Sequence, residues 1–509
     1  MTHSLWQLPN SRRQTILFLF CFSVVVVLAH YVLQVRADAD LWGHTLFGLT
    51  HLQSGQLLRV DPYSFTANGN LWINHEWLSE LIFGFLYQQF GQYGLFGLRG
   101  VMLILTALLM LRLFWLKCKN PLFTIVFFVP AMMYLATISN IRPQLFTNLM
   151  VLIFFMILES NLQRSTGKIF IFPLLMVLWV NLHGGFALGV VISGVGLGYT
   201  FVSRRLKKQT ALRSDCLIPL CFALIVAATL INPYGIELLR FIQEALLLHR
   251  PQIIEWNSLS GEQLYIYWAI SALTTLAILY VKSWKRSLAP VLFMVLSVGS
   301  YHNMRFFPLY FIFATICLLE AIDYVWSHKV ETSLLSKNSP VGSLVIYVLI
   351  ACVLLLQVCP QTLRYLTKNG LRVRVDSTFF PVRAVAFLKQ NALGPHLATR
   401  FNWGEYAIWH LYPNYLVSVD GRYETVYDTD WVEQSIDAEW TGEIKDFLHR
   451  ESVDVILVKS NGPLAKNLNL DEKWSRVYDD NLSAVYIPSG KKETIKPLEE
   501  DFAVSPFFP

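Results

Sequence analysis

From residue 14 to about residue 360 the chain runs as apolar segments broken by short polar stretches. The segments are roughly 18 to 22 residues long, the length an α-helix needs to cross ~30 Å of hydrocarbon while closing its own backbone hydrogen bonds. They lie at about 14–35, 98–117, 121–139, 142–159, 169–183, 185–203, 215–231, 263–282, 288–301, 305–326 and 342–360. The pattern predicts about eleven crossings.

One more run, WLSELIFGFLYQQF at 77–90, is apolar but short for a crossing at ~1.5 Å per residue. Glu76, Glu80 and Gln88 fall on one helical face, which fits an interfacial or re-entrant helix. It belongs to a long loop at 36–97 that is expected to carry two amphipathic helices. In the earlier one, DADLWGHTLFGLTHLQSG, Asp40, His44 and His51 share a face, while Leu46, Leu49 and Leu52 point to lipid or protein. Between the helices RVDPYSFTANGN reads as turns at Asp61-Pro62 and Asn68-Gly69. A second loop, 232–262, opens on NPYG, contains a helical amphipathic stretch and ends near Glu255-Trp256-Asn257.

Beyond residue 371 the pattern changes. Helical stretches (PVRAVAFLKQ, EYAIWHLY, GEIKDFLHR) alternate with β-branched runs (YLVSV, VDVILVK, SAVYIP), predicting a small water-soluble α/β domain over 372–488. Residues 489–509, with KKETIKPLEED, read as a disordered tail. The fold class expected is therefore an α-helical polytopic membrane protein, residues 1–361, with a C-terminal soluble α/β domain and a tail. No internal repeat is apparent.

Composition agrees: 54% of the 509 residues are hydrophobic and 15% charged, against ~25% charged in soluble domains, and mean hydropathy is +0.44. The net charge of +6 is scattered between apolar runs and forms no basic stripe interleaved with aromatics, so no nucleic-acid partner is expected. The seven cysteines, Cys21, Cys118, Cys216, Cys221, Cys317, Cys352 and Cys359, lie in or beside apolar runs, which predicts neither a disulfide framework nor a zinc site. The first apolar run is long and no small-residue cleavage site follows it, so it is expected to stay as a membrane helix.

Charge reads as topology. Arg12, Arg13, Lys117, Lys119, Arg164, Lys168, Arg204 through Lys208, Lys282 through Arg286, and Lys329 fall on one side, which the positive-inside rule makes cytoplasmic. An odd number of crossings then puts the N-terminus inside and the terminal domain outside. On the outer side collect Asp38, Asp40 and His44, then His75 and Glu76 in NHEWLSE, Arg142 in NIRPQ, Asn181 and His183 in NLHGG, and His302 and Arg305 in YHNMRF. Charge at membrane depth is costly, so such convergence points to a site. Each residue also has a plainer reading: Asp38 and Asp40 as helix caps, His44 and His51 as interfacial histidines, Glu76 as a first-turn acid, Arg142 as a snorkelling arginine, and Asn181, His183 and Arg305 as ties between helix ends. Asp420-Gly421-Arg422 reads as a turn with an ion pair, or, with Trp403 and Tyr423, as a sugar-stacking surface.

As a set, the outer residues suit sugar transfer from a polyprenyl-phosphate carrier: Asp38 or Asp40 as general base toward an acceptor hydroxyl, with Arg142 and Arg305 on the departing phosphate. The segments DADLWGH, NHEWLSE and NIRPQ resemble the GT-C superfamily of membrane glycosyltransferases, which includes protein O-mannosyltransferases, oligosaccharyltransferases and the lipid A aminoarabinose transferase. The resemblance spans about residues 14–330, and the NLHG, NPYG and DGR motifs are most similar to those of an uncharacterised bacterial subgroup. It implies the catalytic acid's role for Asp38 or Asp40; among the other outer residues, Glu76 is expected to join the catalytic group, Arg142, Arg305 and His302 to bind the donor phosphate, and His44, His75, Asn181 and His183 to bind substrate. It further implies a polyprenyl-phosphate-linked sugar donor, a glycan, lipid or protein acceptor, inverting chemistry and a bacterial inner-membrane location. HEW replaces a basic-proline-proline motif and Arg142 stands where some relatives carry an acid, so a divalent cation is left open and its ligands unassigned. A transporter or lipid flippase is the competing class, and a membrane-anchored assembly protein a third; the missing repeat and the one-sided polar groups favour the transferase.

Overall fold

The computed structural model describes residues 10–164, 168–206, 217–248, 250–327, 345, 348–443, 453–491, 495–498 and 505–509. Lys207, Lys208, Cys216, Lys329, the beginnings of the runs at 215 and 342, most of GEIKDFLHR, and 492–494 and 499–504 of the terminal segment lie outside them. The chain forms two compact units: residues 1–35 with 97–371, and residues 36–96 with 372–509.

The first unit is helical. Among the described residues eight helices are long and apolar enough to cross a membrane: Gln14–Leu33, Gln92–Lys117, Pro121–Ile138, Gln144–Leu162, Phe186–Arg205, Ile254–Val281, Met304–Val325 and Val348–Asn369. Three shorter apolar helices, Lys168–Leu182, Ile218–Ala228 and Ala289–His302, complete the set expected from the sequence. This is an integral membrane protein. The helices used below are α1 (Asn10–Leu33), α4 (Gln92–Lys117), α5 (Pro121–Ile138), α6 (Gln144–Arg164), α7 (Phe172–Leu182), α8 (Phe186–Leu206), α12 (Ala289–His302) and α13 (Phe307–Val325). Proline marks the first turn of several, at Pro121, Pro173, Pro290 and Pro308, where its missing N–H is one the helix could not have paired. The last crossing extends to Asn369, nine residues past the expected end, because CPQTLRYLTKN continues it as an amphipathic turn.

Two buried cations join helix ends. Arg99 on α4 donates to the carbonyls of Tyr31 and Val32 on α1 and of Ala136 and Ser139 at the end of α5. These are last-turn carbonyls with no partner inside their own helices. At the other end of α4, Lys117 donates to Glu159 on α6 (2.7 Å), Glu320 on α13 (2.5 Å) and the Ser287 hydroxyl (2.9 Å).

In the second unit, α2 (Ala39–Ser54) and α3 (Trp77–Phe90) cross backbone to backbone. A Cβ on Gly48 would stand 1.8 Å from the carbonyl oxygen of Glu80, and one on Gly84 2.4 Å from the carbonyl carbon of Gly48. The remaining helices are α15 (Val382–Gln390), α16 (Gly404–Leu411), α17 (Thr429–Thr441) and α18 (Pro463–Leu468), with α14 (Cys359–Asn369) closing the helical unit. They surround a mixed sheet of β1 (His396–Thr399), β2 (Leu416–Val417), β3 (Val455–Lys459), β4 (Trp474–Asp479) and β5 (Ser483–Pro488) in the order β2-β1-β3-β5-β4. β1 runs parallel to β2 and β3, and β5 antiparallel to β3 and β4. The parallel pair β1–β2 is linked through α16, as parallel neighbours require a crossover.

The sequence had grouped 36–97 with the membrane helices, whereas these residues pack with 372–509. The reason is pairing that no local pattern carries. Val417 donates to Tyr63 O and accepts from Phe65 N, so 63–65 extends the β2 edge of the sheet. Ala37 donates to Arg374 O, and Asn70 Nδ2 to Val426 O. The chain terminus also packs where a disordered tail was expected: Val375 N donates to Pro506 O, Phe508 N to Val373 O, and Phe508 is buried against Trp42.

Candidate functional site

The unit built from 36–96 and 372–509 gathers the first-loop acids and histidines. Asp38 is the N-cap of α2 and accepts from Leu41 N at 3.1 Å, so one of the two candidate acids has a capping task. Asp40 lies in the first turn. One turn on, His44 points at α3, with Nδ1 3.2 Å from Glu80 Oε1 and Nε2 3.7 Å from Glu76 Oε2. His75 Nε2 is 3.6 Å from the other Glu76 oxygen. Burial works against charge on His44, but the hydrogen bond to Glu80 and the charges of Glu76, Glu80 and Asp40 outweigh it and push its pKa up to about 9. His44 is thus an imidazolium at neutral pH, one turn from Asp40.

Glu80 corrects an expectation. Its place on a polar helical face suggested water, yet it is 3% exposed and accepts from His44 and Asn74. The polar face of α3 turns inward because it has His44 to neutralise. His51 is buried too, and burial lowers its pKa, leaving it neutral and part of the core beside Trp72.

Asp420-Gly421-Arg422 takes the ion-pair reading. Arg422 donates Nε to Asp420 Oδ1 (2.8 Å), Nη2 to Asp420 Oδ2 (2.6 Å) and Nη1 to Asp61 Oδ1 (2.6 Å). Its guanidinium lies near the rings of Phe47, Tyr63 and Trp72. Asp61 also accepts from Tyr63 N, Ser64 N and the Ser64 hydroxyl, and Asp420 from the Tyr427 hydroxyl. Burial opposes charge on Asp420, but Arg422 and Tyr427 hold its carboxyl below the usual range. This fully buried group locks loop 36–96 to the terminal residues, and sequence reasoning saw Asp61 only as a turn residue.

Glu405, on the first turn of α16, was missed outright. It is 5% exposed and its Oε2 accepts from Gly43 N at 3.0 Å. Burial, with Asp40 and Asp420 near, raises its pKa well above the carboxylate range, so it is a neutral acid. The only cue was its place in GEYAIWHLY on an otherwise apolar face.

The helical unit gathers a second group at the ends of α5, α7 and α12. His183, closing α7, has Nδ1 2.8 Å from the Thr147 hydroxyl and 2.9 Å from Gly185 N. A backbone N–H can only donate, so Nδ1 is an acceptor and the proton of the neutral ring sits on Nε2. That Nε2 is 3.4 Å from Arg305 Nη2. Neither group can accept from the other, which makes them two donors side by side. Arg305 lies over Trp256 (5.1 Å), as does Arg250 on the same ring (4.3 Å), and the neighbouring Glu255 pairs with Arg142 at 3.3 Å. One short turn, Ile254–Trp256, therefore joins three arginines. His302 stands exposed against Tyr301. Asn181 Nδ2 donates to Val177 O within α7 and to Ile231 O just past the helix Ile218–Ala228, which ties these two helix ends together.

Among the described residues no group of three or more His, Cys, Asp or Glu side chains is placed to hold a metal ion. Arg422 already neutralises the buried pair Asp61 and Asp420, so these two carboxylates are taken up by the guanidinium.

These features define a multi-spanning membrane protein with a separate sheet-bearing unit, and its fold is similar to that of solved membrane proteins. The oligosaccharyltransferase of the archaeon Archaeoglobus fulgidus in its apo form superposes with a TM-score of 0.55 at 8% identity, covering 93% of this chain and 74% of that one. The same enzyme tethered to an acceptor peptide containing the NVT sequon gives 0.54 at 10% identity over 87% and 69%. ArnT from Cupriavidus metallidurans bound to undecaprenyl phosphate gives 0.49 at 12% identity over 92% and 97%. No protein-family model and no curated protein sequence matches the chain.

Proposed function

We propose that the protein is a membrane glycosyltransferase that moves a sugar, with inversion, from a polyprenyl-phosphate-linked donor to a hydroxyl of a glycan, lipid or protein on the outer face of a bacterial inner membrane. The observation that carries this reading is the donor pair of His183 Nε2–H and the Arg305 guanidinium. Two adjacent N–H groups, backed by Trp256, form what a phosphate oxygen binds. Arg142 and Arg250 add positive charge around the same turn. A phosphate held there leaves readily, so no strong general acid is needed.

Asp40 is the base. Asp38 caps α2, whereas Asp40 has the positive charge of the His44 imidazolium one turn away on its own helix, and His44 is held by Glu76 and Glu80. Glu76 therefore acts through His44 and does not itself touch the reacting atoms. His75 and Asn181 shape the walls of their own clusters. The positive flanks at the Lys117 end of the helical unit support placing that end in the cytoplasm.

The test uses the full-length chain in proteoliposomes with undecaprenyl-phosphate-linked hexoses and pentoses labelled in the sugar. Asp40→Asn is expected to cut release of undecaprenyl phosphate at least a hundredfold, and Arg305→Met to raise KM for the donor. Asp38→Asn is expected to retain turnover while lowering thermal stability. Full turnover in Asp40→Asn would remove the base assignment. Passage of the lipid-linked sugar across the bilayer without transfer would replace the transferase by a flippase.

A further inference from the structure

Glu405 is a buried carboxyl with no task in the reading above, and its surroundings are built to admit it. A Cβ on Gly43 would stand 2.4 Å from Glu405 Cδ, and one on Gly421 2.6 Å from Glu405 Oε1. That same Gly421 Cβ would stand 3.2 Å from Asp40 Oδ1. Two residues far apart in the chain thus lack side chains where the carboxyl sits, and the space at Gly421 is shared by Glu405 and Asp40. Glu405 Oε2 accepts the N–H of Gly43, one helical turn past Asp40. Gly404, beside Glu405, is pressed against Val419 O and the Asp420 backbone, which fixes the start of α16 to the Arg422 network.

We propose that Glu405 is a positioning residue for Asp40: wedged between Gly43 and Gly421, its carboxyl fixes the first turns of α2 and thereby the place and rotamer of the Asp40 carboxylate. The inference rests on Asp40 being the base. A second carboxylate here would repel Asp40, and an acid that stays neutral supplies the shape and a hydrogen-bond donor without the repulsion. Glutamine has the same outline and also donates, so it can replace the side chain, whereas alanine opens a void beside Asp40.

The experiment compares wild type, Glu405→Gln, Glu405→Ala and Gly421→Ala in the full-length chain, by structure determination of the purified protein and by turnover of undecaprenyl-phosphate-linked sugars. The Gly421→Ala methyl would enter the shared space directly. Expected are an unmoved Asp40 carboxylate and near wild-type kcat in Glu405→Gln, and a displaced carboxylate with kcat lowered at least tenfold at unchanged KM in Glu405→Ala and Gly421→Ala. An Asp40 carboxylate in its wild-type place in both alanine variants overturns the proposal, whatever the turnover. If the carboxylate moves yet Asp40→Asn is fully active, Glu405 still positions Asp40, and it is the base assignment that fails.

Discussion

The two units bury arginine in different ways. In the helical unit Arg99 is satisfied by four carbonyls at the ends of α1 and α5, groups left over by helix geometry. In the other unit Arg422 is satisfied by two aspartates, Asp61 and Asp420, that lie 359 positions apart in the chain. The first arrangement joins elements that form by themselves. The second creates the unit, because without Arg422 two buried carboxylates face each other. A buried cation can thus be a connector between finished elements or a condition for folding at all, and the nature of its acceptors decides which.

The sharpest way to break that contrast is to remove Arg422. Arg422→Met strands Asp61 and Asp420 in the interior, and a loss of about 3–5 kcal/mol is expected, read as collapse of the cooperative thermal transition followed by tryptophan fluorescence. Arg142→Met, whose partner Glu255 is 41% exposed, is expected to change stability by less than ~1 kcal/mol. Equal effects for the two would erase the distinction.

A pH series probes the same unit. The His44 pKa lies above its ordinary value of 6.5, at about 9, because of Glu76 and Glu80 on α3 and Asp40 on its own helix. The stability this contributes is complete below about pH 6.5 and disappears as pH rises through 9, on the order of 3 kcal/mol in all. Glu80→Gln is expected to flatten that dependence, and an unchanged alkaline melting curve in the variant would show that His44 is not the titrating group.

Gly48→Ala tests the helix crossing. The added methyl would meet the Glu80 carbonyl, and overpacking of this kind costs about 1–3 kcal/mol, expected as a lower melting temperature and a shifted His44 pH dependence. A further small effect belongs to the helical unit. Asn181→Ala removes the bond to Ile231 O and is expected to cost about 1 kcal/mol, measured by the same thermal melt.

How much could be read beforehand follows from the range of the forces involved. An apolar run of about twenty residues next to Pro121 or Pro308 specifies a membrane helix by itself, since lipid offers no alternative for its backbone. His183 and Arg305 were visible as polar residues at helix ends. Their pairing was not, because it depends on which helix ends meet. The helical face that Glu80 occupies is visible in sequence, whereas the histidine opposite it, which lets that face be buried, is not. Glu405 lay in an apolar helix with nothing nearby to mark it, and nothing in the sequence singled out Arg250, which the structure sets over the same Trp256 ring as Arg305.

The sequence by itself determined that this is a multi-spanning membrane protein, where most of its helices begin and end to within a few residues, and that residues past 371 carry a small α/β domain, because each of these depends on burial patterns a few residues wide. Only the tertiary structure decided that loop 36–96 belongs to that sheet, that Asp38 caps while Asp40 stands beside a charged His44, and that Glu405 fills the space left by two glycines. Those outcomes depend on contacts between segments separated by hundreds of residues, and no local preference encodes such contacts.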